Sequence, residues 1–417
     1  MIENHNPQES SFSNEDVKQA LSWTEKLVLE TGTRLTGTAG CKKASKIIYK
    51  KLKEICPVVN QQDFIHHREA FLSFFKLMTI SYIIALLGLW FGGIGNYIAA
   101  FGMVFVSIAT FFEFVFYREF LDFLFKKTEG RNIIGRVDPA GEVNQTLIFS
   151  AHYDSPYVFH YLQNIQKNYI LIVIITLTVY FLGLIISLSA MLFQILAPGS
   201  FTYEVSWLIG MSVGLIFILP YYFFITDEVS PGAGDNLIAV SILLQLAGYF
   251  KKPENALQNT ELVFLITDAE ESGLRGARAF VREQHDQLTA TPHYNYNMDS
   301  IFSVNHLTFL TSDINNTVNL SNNLAEKGIQ IAKTLGYTAE KMKIPFGGGA
   351  TDSGEFAKVG IPSTSLIAMD TTFKSGSNPY HTRDDNTENI DPEAVLACLQ
   401  IAHGFACHID SLNSNKL

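Results

Sequence analysis

The stretch TLIFSAHYDS, residues 146–155, decides how this chain is read. Thr146 to Ala151 is a short β-rich run that passes straight into His152 and Asp154. Residues two apart on a strand share a face, so an imidazole and a carboxylate leave the strand end together. A metal-binding histidine commonly gives its second ring N–H to a carboxylate, and Asp154 stands where such a partner would. The same pair is also an ordinary loop arrangement, so the stretch needs company before it means anything.

Downstream of it, Tyr169 to Leu196 and Val205 to Ile225 are apolar and long; upstream, Phe71 to Trp90 and Asn96 to Tyr117 form a second such pair. About 20 apolar residues cross a hydrocarbon core of roughly 30 Å. Buried core helices are the plainer reading, but they rarely stay uncharged for so long. The expectation is two transmembrane helical hairpins, four membrane helices in all. Glu113, the one carboxylate within the blocks, is expected at the interface or paired with Arg118.

Apolar residues make up 47% of the 417 positions and charged residues only 17%, and the apolar excess sits in those four blocks. What remains is polar enough for one soluble domain. A net charge of −10, with no basic and aromatic-interleaved patch, argues against nucleic acid as a partner. The N-terminal MIENHNPQESSFSNED has neither a charged n-region nor an apolar h-region, and is not read as a signal peptide. Arg68, Lys76, Arg118, Lys126, Lys127, Arg131 and Lys167 flank the apolar blocks on their polar side, whereas the turns FGGIGN and APGSFTYE carry no Lys or Arg. The positive-inside rule then places the polar domain in the cytoplasm of an integral membrane protein, a bacterial inner or plasma membrane being the expected setting. Cys41, Cys56, Cys398 and Cys407 have no zinc-knuckle or disulfide spacing and are expected as reduced, buried thiols.

Helices are expected over 14–30, capped by Ser13 or Asn14, and over 42–55, stopped by Pro57. Further helices fit 237–250 (amphipathic), 273–282, 318–335 and 392–409. Strands fit 132–137, 146–151, 261–267, 294–298, 306–310 and 363–368. Strands alternating with helices imply an α/β domain with a mostly parallel sheet flanked by helices, its site at the carboxyl ends of the strands. The domain is expected in pieces: 14–70, then hairpin 71–117, then 118–168, then hairpin 169–225, then 226–411.

Asp235, in GAGDN, opens a helix from a glycine-rich turn, where a carboxylate can reach a metal or simply cap the helix. Glu270 and Glu271 follow the apolar strand LVFLIT. Adjacent carboxylates are usually a solvated pair, but at a buried strand end they point different ways. One can bind a metal while the other serves as a base, the division hydrolysis needs. Asp299 ends YNYNMDS, and His381 sits in the loop NPYHTRDDN; a strand-end carboxylate and a surface histidine are the plain alternatives.

In order along the chain, His-x-Asp, Gly-x-x-Asp-Asn, Glu-Glu-x-Gly-Leu, Asp and His resemble the co-catalytic, di-zinc aminopeptidases of metallopeptidase family twenty-eight, here in a membrane-anchored form. RLTG at Arg34 and TDSGEFAKVGIPS around Asp352 resemble two further family segments. The resemblance covers most of the polar chain and implies a zinc-exopeptidase-like fold and two Zn2+ ions. It implies that Asp235 bridges them, with His152 and Asp299 completing one site and Glu271 and His381 the other. Glu270 would be the general base, and Asp154 would orient His152. Imidazole and carboxylate donors suit zinc and tolerate cobalt or manganese. One departure is Gly234, where the family's motif often has an aspartate.

The function expected is therefore a membrane-anchored zinc metallopeptidase, an aminopeptidase by preference, acting on peptides beside a lipid bilayer. A glutaminyl cyclase-like acyltransferase is the competing enzyme, and such relatives work with one zinc. A receptor or scaffold of the same fold, or a transporter, are further alternatives. The spans lack the paired charges and broken helices of a transport path. Gly88-x-x-x-Gly92 and Gly210-x-x-x-Gly214 have the spacing that lets helices approach, within a four-helix anchor or between subunits of a homo-oligomer. Because the second hairpin leaves after Asp154 and returns before Asp235, the site is expected close to the membrane surface.

Overall fold

The computed structural model describes residues 12–196 and 202–412. The first eleven residues and the centre of the second hairpin turn, 197–201, lie outside the described residues. The strands are β1 Val58–His66, β2 Thr128–Val137, β3 Gln145–His152, β4 Tyr157–Phe159, β5 Ile225–Val229, β6 Thr260–Thr267, β7 His293–Ile301, β8 Leu307–Asp313, β9 Val318–Asn319, β10 Glu340–Lys343 and β11 Ser363–Ala368. The helices are α1 Asn14–Thr31, α2 Ala39–Ile55, α3 Phe74–Phe91, α4 Ile94–Thr110, α5 His160–Ile165, α6 Tyr169–Leu196, α7 Thr202–Ile218, α8 Ile238–Phe250, α9 Arg275–Ala290, α10 Asn322–Thr334, α11 Ser353–Lys358 and α12 Pro392–Asp410.

The main sheet runs β1-β2-β6-β3-β7-β11-β8-β10, with β9 on β8. Its centre, β6-β3-β7-β11, is parallel, but β1, β2 and β8 join antiparallel. The sheet is mixed, which corrects the expectation of a mostly parallel one. The antiparallel edge was missed because VVNQQDFIH reads as a polar segment. Gln62, buried within it, bonds Glu283 and the Ala279 carbonyl of α9 at 2.6 and 3.1 Å.

Period-two burial sets the layers. Leu262, Phe264 and Ile266 of β6 face a core shared with α1, α2, α8 and α12. Val263 and Leu265 face the other way, onto Phe280 and Val281 of α9 and Phe356 of α11. Ser13 caps α1 in a capping box with Asp16. Helix α8 is not amphipathic but buried nearly all round; its Ser241 hydroxyl meets that of Thr24 at 2.5 Å inside the core.

Among the described residues, five helical stretches are long and apolar enough to cross a membrane, judged by length and composition: Phe71–Phe91, Ile94–Val115, His160–Leu196, Val205–Phe223 and Ala233–Phe250. The last is 83% buried in the core of the sheet domain, against 22–50% for the others. Those four pack together through Tyr82, Tyr180, Met103 and Met211 and turn Trp90, Phe101, Ile185 and Ile216 outward. Gly88 closes on the Gly95 backbone within the first hairpin. Gly92 instead ends α3 at φ 64° and packs on nothing. Gly183 and Gly214 leave room for the Tyr82 ring, and the Tyr82 hydroxyl donates to the Met211 carbonyl at 3.2 Å. Glu113 is buried, and its partner is Arg275 at 2.9 Å, not Arg118. The cysteines are free thiols, and Cys407 is exposed rather than buried.

Candidate active site

The central parallel strands deliver their carboxyl ends to one edge of the sheet. His152 closes β3 in register with Thr267 of β6, and β6 is followed directly by the turn holding Glu270 and Glu271. Asp299 lies near the end of β7. The other two donors come from loops: Asp235 from the turn before α8, and His381 from the loop before α12.

These residues meet. His152 Nε2 lies 3.2 Å from Asp235 Oδ1 and 3.8 Å from Asp299 Oδ1. His381 Nε2 lies 3.3 Å from Asp235 Oδ2 and 3.4 Å from Glu271 Oε2. Two groups of three donors result, His152–Asp235–Asp299 and Asp235–Glu271–His381, each with its ligand atoms within 4.8 Å of one another. Asp235 belongs to both. His152, Glu270 and Glu271 form a third such group, which puts Glu270 beside the centre. His152 Nε2 and Asp235 Oδ2 are shielded from solvent and make no hydrogen bond. Buried polar atoms are rarely left so, and a divalent cation between them fits the donor set.

The electrostatics agree. Burial pushes Glu270 and Glu271 well above the usual carboxylate range, and the surrounding carboxylates add to the effect. Burial alone would pull the His152 ring down, but the neighbouring carboxylates of Asp154, Asp235 and Asp299 carry it well above its ordinary value. The centre is a place that asks for positive charge.

Asp154 works from below. Its carboxylate lies 3.4 Å from His152 Nδ1 and accepts the backbone N–H groups of Glu270 and Glu271 at 3.1 and 3.2 Å. His152 Nδ1 also lies 3.2 Å from the Asp154 carbonyl. One side chain thus fixes the imidazole and the Glu-Glu turn together. Ala269, Ser300 and His381 have φ of 60, 51 and 54°, left-handed values uncommon outside glycine. Each sits at a donor-bearing segment, where such strain typically gathers.

Two buried side chains join the halves of the site. Arg34 donates from Nε to the Tyr153 carbonyl at 2.9 Å, and from its terminal nitrogens to the carbonyls of Pro231 and Gly232 at 2.9 and 2.7 Å. Asp385 accepts the N–H groups of Gly234 and Asp235 at 2.6 and 3.2 Å, tying the His381 loop to the Asp235 turn. Burial raises the Asp385 carboxyl, and those two N–H groups and Arg34 counter it. Arg34 stood out in sequence only as part of a motif; nothing separated Asp385 from Asp384. The glycine at 234 has a steric cause, since a Cβ there would overlap the Phe302 ring. The Asp235–Asn236 bond is cis.

The second apolar hairpin reaches the site as well. β4 and β5, its two ends, pair antiparallel as Tyr157 with Val229 and Phe159 with Ile225. The Phe159 N–H donates to the His381 carbonyl at 3.0 Å, and its ring meets the imidazole edge-on at 4.3 Å. Tyr380 covers the same imidazole at 4.1 Å.

This is the fold of the zinc exopeptidases. It aligns with a Zn-dependent exopeptidase from Parabacteroides distasonis at a TM-score of 0.54 and 18% identity, over 96% of this chain and 98% of that one. It aligns with the glutaminyl cyclase of Porphyromonas gingivalis at a TM-score of 0.57 and 15% identity, over 96% and 100%. Residues 219–406 match the model of peptidase family M28, a range that takes in Asp235, Glu270, Glu271, Asp299 and His381. Aminopeptidase YwaD of Bacillus subtilis is 26% identical over 183 residues, which is 43% of this chain and 38% of that enzyme. The chain thus spans well under half the length of that curated relative. The family match and the likeness to that aminopeptidase cover under half of the chain, and the likeness of fold extends over nearly all of it.

Proposed function

We propose that this chain is a membrane-anchored zinc metallopeptidase, an aminopeptidase by preference. The observation that carries this reading is Asp235, shared between two histidine–carboxylate groups with Glu270 alongside. His152, Asp299 and one oxygen of Asp235 would hold one Zn2+; His381, Glu271 and the other oxygen would hold the second. When bound, the ions supply Lewis acidity toward the scissile carbonyl and acidify water.

Glu270 does the proton work. Its carboxylate takes a proton from the attacking water and returns it to the amine that leaves. A carboxylate placed beside the donor groups suits that task. Asp154 keeps the His152 ring turned toward the centre and holds the Glu270 backbone in place.

The four less buried apolar helices form the anchor, and the fifth candidate belongs to the peptidase core. Arg68, Lys76, Arg118, Lys126, Lys127, Arg131 and Lys167 near the hairpin bases put the peptidase domain on the cytoplasmic side, in a bacterial inner or plasma membrane. A peptide and the lipid bilayer are its partners.

Glu270→Gln, purified as the full chain, tests the reading. It should keep its zinc by elemental analysis and lose hydrolysis of aminoacyl substrates by about 10²–10⁴-fold. Unchanged hydrolysis would sink it. Wild-type protein that cyclises N-terminal glutamine and cleaves no peptide would establish the cyclase alternative, which the shared Asp235 disfavours.

A further inference from the structure

The metal-site side chains rest directly on the bases of the two apolar hairpins. From His381, the Phe159 ring is 4.3 Å away, Phe224 is 5.1 Å beyond it, and Phe75 stacks on Phe224 at 4.1 Å. Phe75 lies in the first turn of α3, next to Lys76, whose ammonium sits 5.8 Å from the Tyr222 ring. Lysine and tyrosine together mark the membrane–water boundary. A ligand-bearing loop is therefore three ring contacts from that boundary.

The other half of the site makes its own contact. Gly273, two residues past Glu271, lies against the Phe71 ring, where an added Cβ would come within 2.9 Å. Phe71 opens the first apolar hairpin and packs on Tyr117 at its far end, with ring centroids 4.6 Å apart. Each hairpin thus abuts one side of the site. Headgroups add roughly 5–8 Å outside the hydrocarbon on each face, so a site three ring contacts from the boundary stands close to the headgroups.

We infer that the substrates are membrane-inserted peptides whose short N-terminal tails emerge beside the bilayer, trimmed residue by residue almost down to the span. This rests on the membrane-anchored peptidase reading. A site held far above the membrane could not reach a short tail, because an extended chain covers only about 3.3–3.6 Å per residue. A site this close to the headgroups can.

The test is a molecular ruler that uses wild-type full-length protein. It is reconstituted in phosphatidylcholine–phosphatidylglycerol vesicles with a synthetic peptide bearing an N-terminal tail of about twenty residues before an apolar transmembrane segment. A soluble peptide of the same tail sequence is digested in parallel, and mass spectrometry reads the final N-terminus. Trimming should stop within about six residues of the span, roughly 20 Å of extended chain. A stop farther out, or trimming of the soluble peptide alone, overturns the inference while leaving the peptidase reading intact. Failure to trim either peptide overturns both.

Discussion

Arg34 donates from its guanidinium to the carbonyl of Gly232 at 2.7 Å while its Nε holds the Tyr153 carbonyl at 2.9 Å. One fully buried side chain therefore spans the two loops that carry His152 and Asp235. Arg34→Ala should cost about 3–5 kcal/mol, the scale for breaking a buried charge network, and should lower zinc content. Arg34→Lys keeps the charge but loses the planar fork, so it should recover only part of both. Thermal unfolding in detergent and elemental analysis give the two readouts.

Chelation should lower the thermal midpoint, because Asp235, Glu271, Asp299 and Glu270 then face one another without a counter-ion. Restoring zinc to about 1,000 times its dissociation constant should return about 4 kcal/mol. His381→Ala should bind one fewer zinc while the His152–Asp235–Asp299 group stays whole. Equal stoichiometry in the variant and the wild type would contradict two ions sharing Asp235.

His66 gives a pH signature away from the metal centre. Burial pulls its ring down to about 3, and the nearby charges of Arg275, His67 and Arg68 push the same way. Unfolded, the ring has an ordinary value near 6.5, so below that pH the unfolded chain binds a proton that the folded chain refuses. Its contribution is whole above pH 6.5 and drains away as pH falls toward 3, by up to about 1.4 kcal/mol per pH unit. The stability gap between wild type and His66→Gln, measured from pH 7.5 to 5, should narrow as pH falls.

Glu113 accepts the N–H groups of Phe120 and Leu121 at 2.9 Å each and pairs with Arg275 at 2.9 Å. Arg275 in turn donates to the Ser272 carbonyl, one residue past Glu271. Glu113→Ala strands those donors and should cost about 3–5 kcal/mol. Glu113→Gln retains an acceptor for the N–H groups and should cost less. If the exit of the first hairpin steadies the Glu270–Glu271 turn, kcat should fall with stability in both variants. Unchanged kcat in a destabilised protein would confine Glu113 to the anchor.

What the sequence made legible was the set of donors that the fold brings together. His152, Asp235, Glu270, Glu271, Asp299 and His381 sit at strand ends or in glycine- and proline-rich loops, where residue type and local context point the same way. The supporting residues were hidden because their role is a long-range contact. Arg34 reaches nearly 200 positions along the chain to Gly232, and Asp385 reaches 150 back to Asp235. Strand direction was hidden too, since β1 pairs through its backbone while its side chains are mostly polar. Helix α8, expected to be amphipathic, is buried nearly all round, because tertiary packing covers even Ser241. The helix expected over 318–335 begins instead at Asn322, because Val318 and Asn319 pair with β8.

The short pairing of Tyr157 with Val229 and Phe159 with Ile225 bears on how such a chain can be assembled at all. Bringing His152 to Asp235 across a long apolar insertion costs loop-closure entropy, which grows only slowly with length. Clasping the insertion at its base removes most of even that dependence: to the peptidase domain the stalk is a tight turn. The apolar stretch beyond Gln166, which bonds Asn378, and before Phe224 can then be lengthened, shortened or exchanged with the register of the donor cluster intact. The clasp makes the apolar hairpin a cassette and the sheet domain its socket.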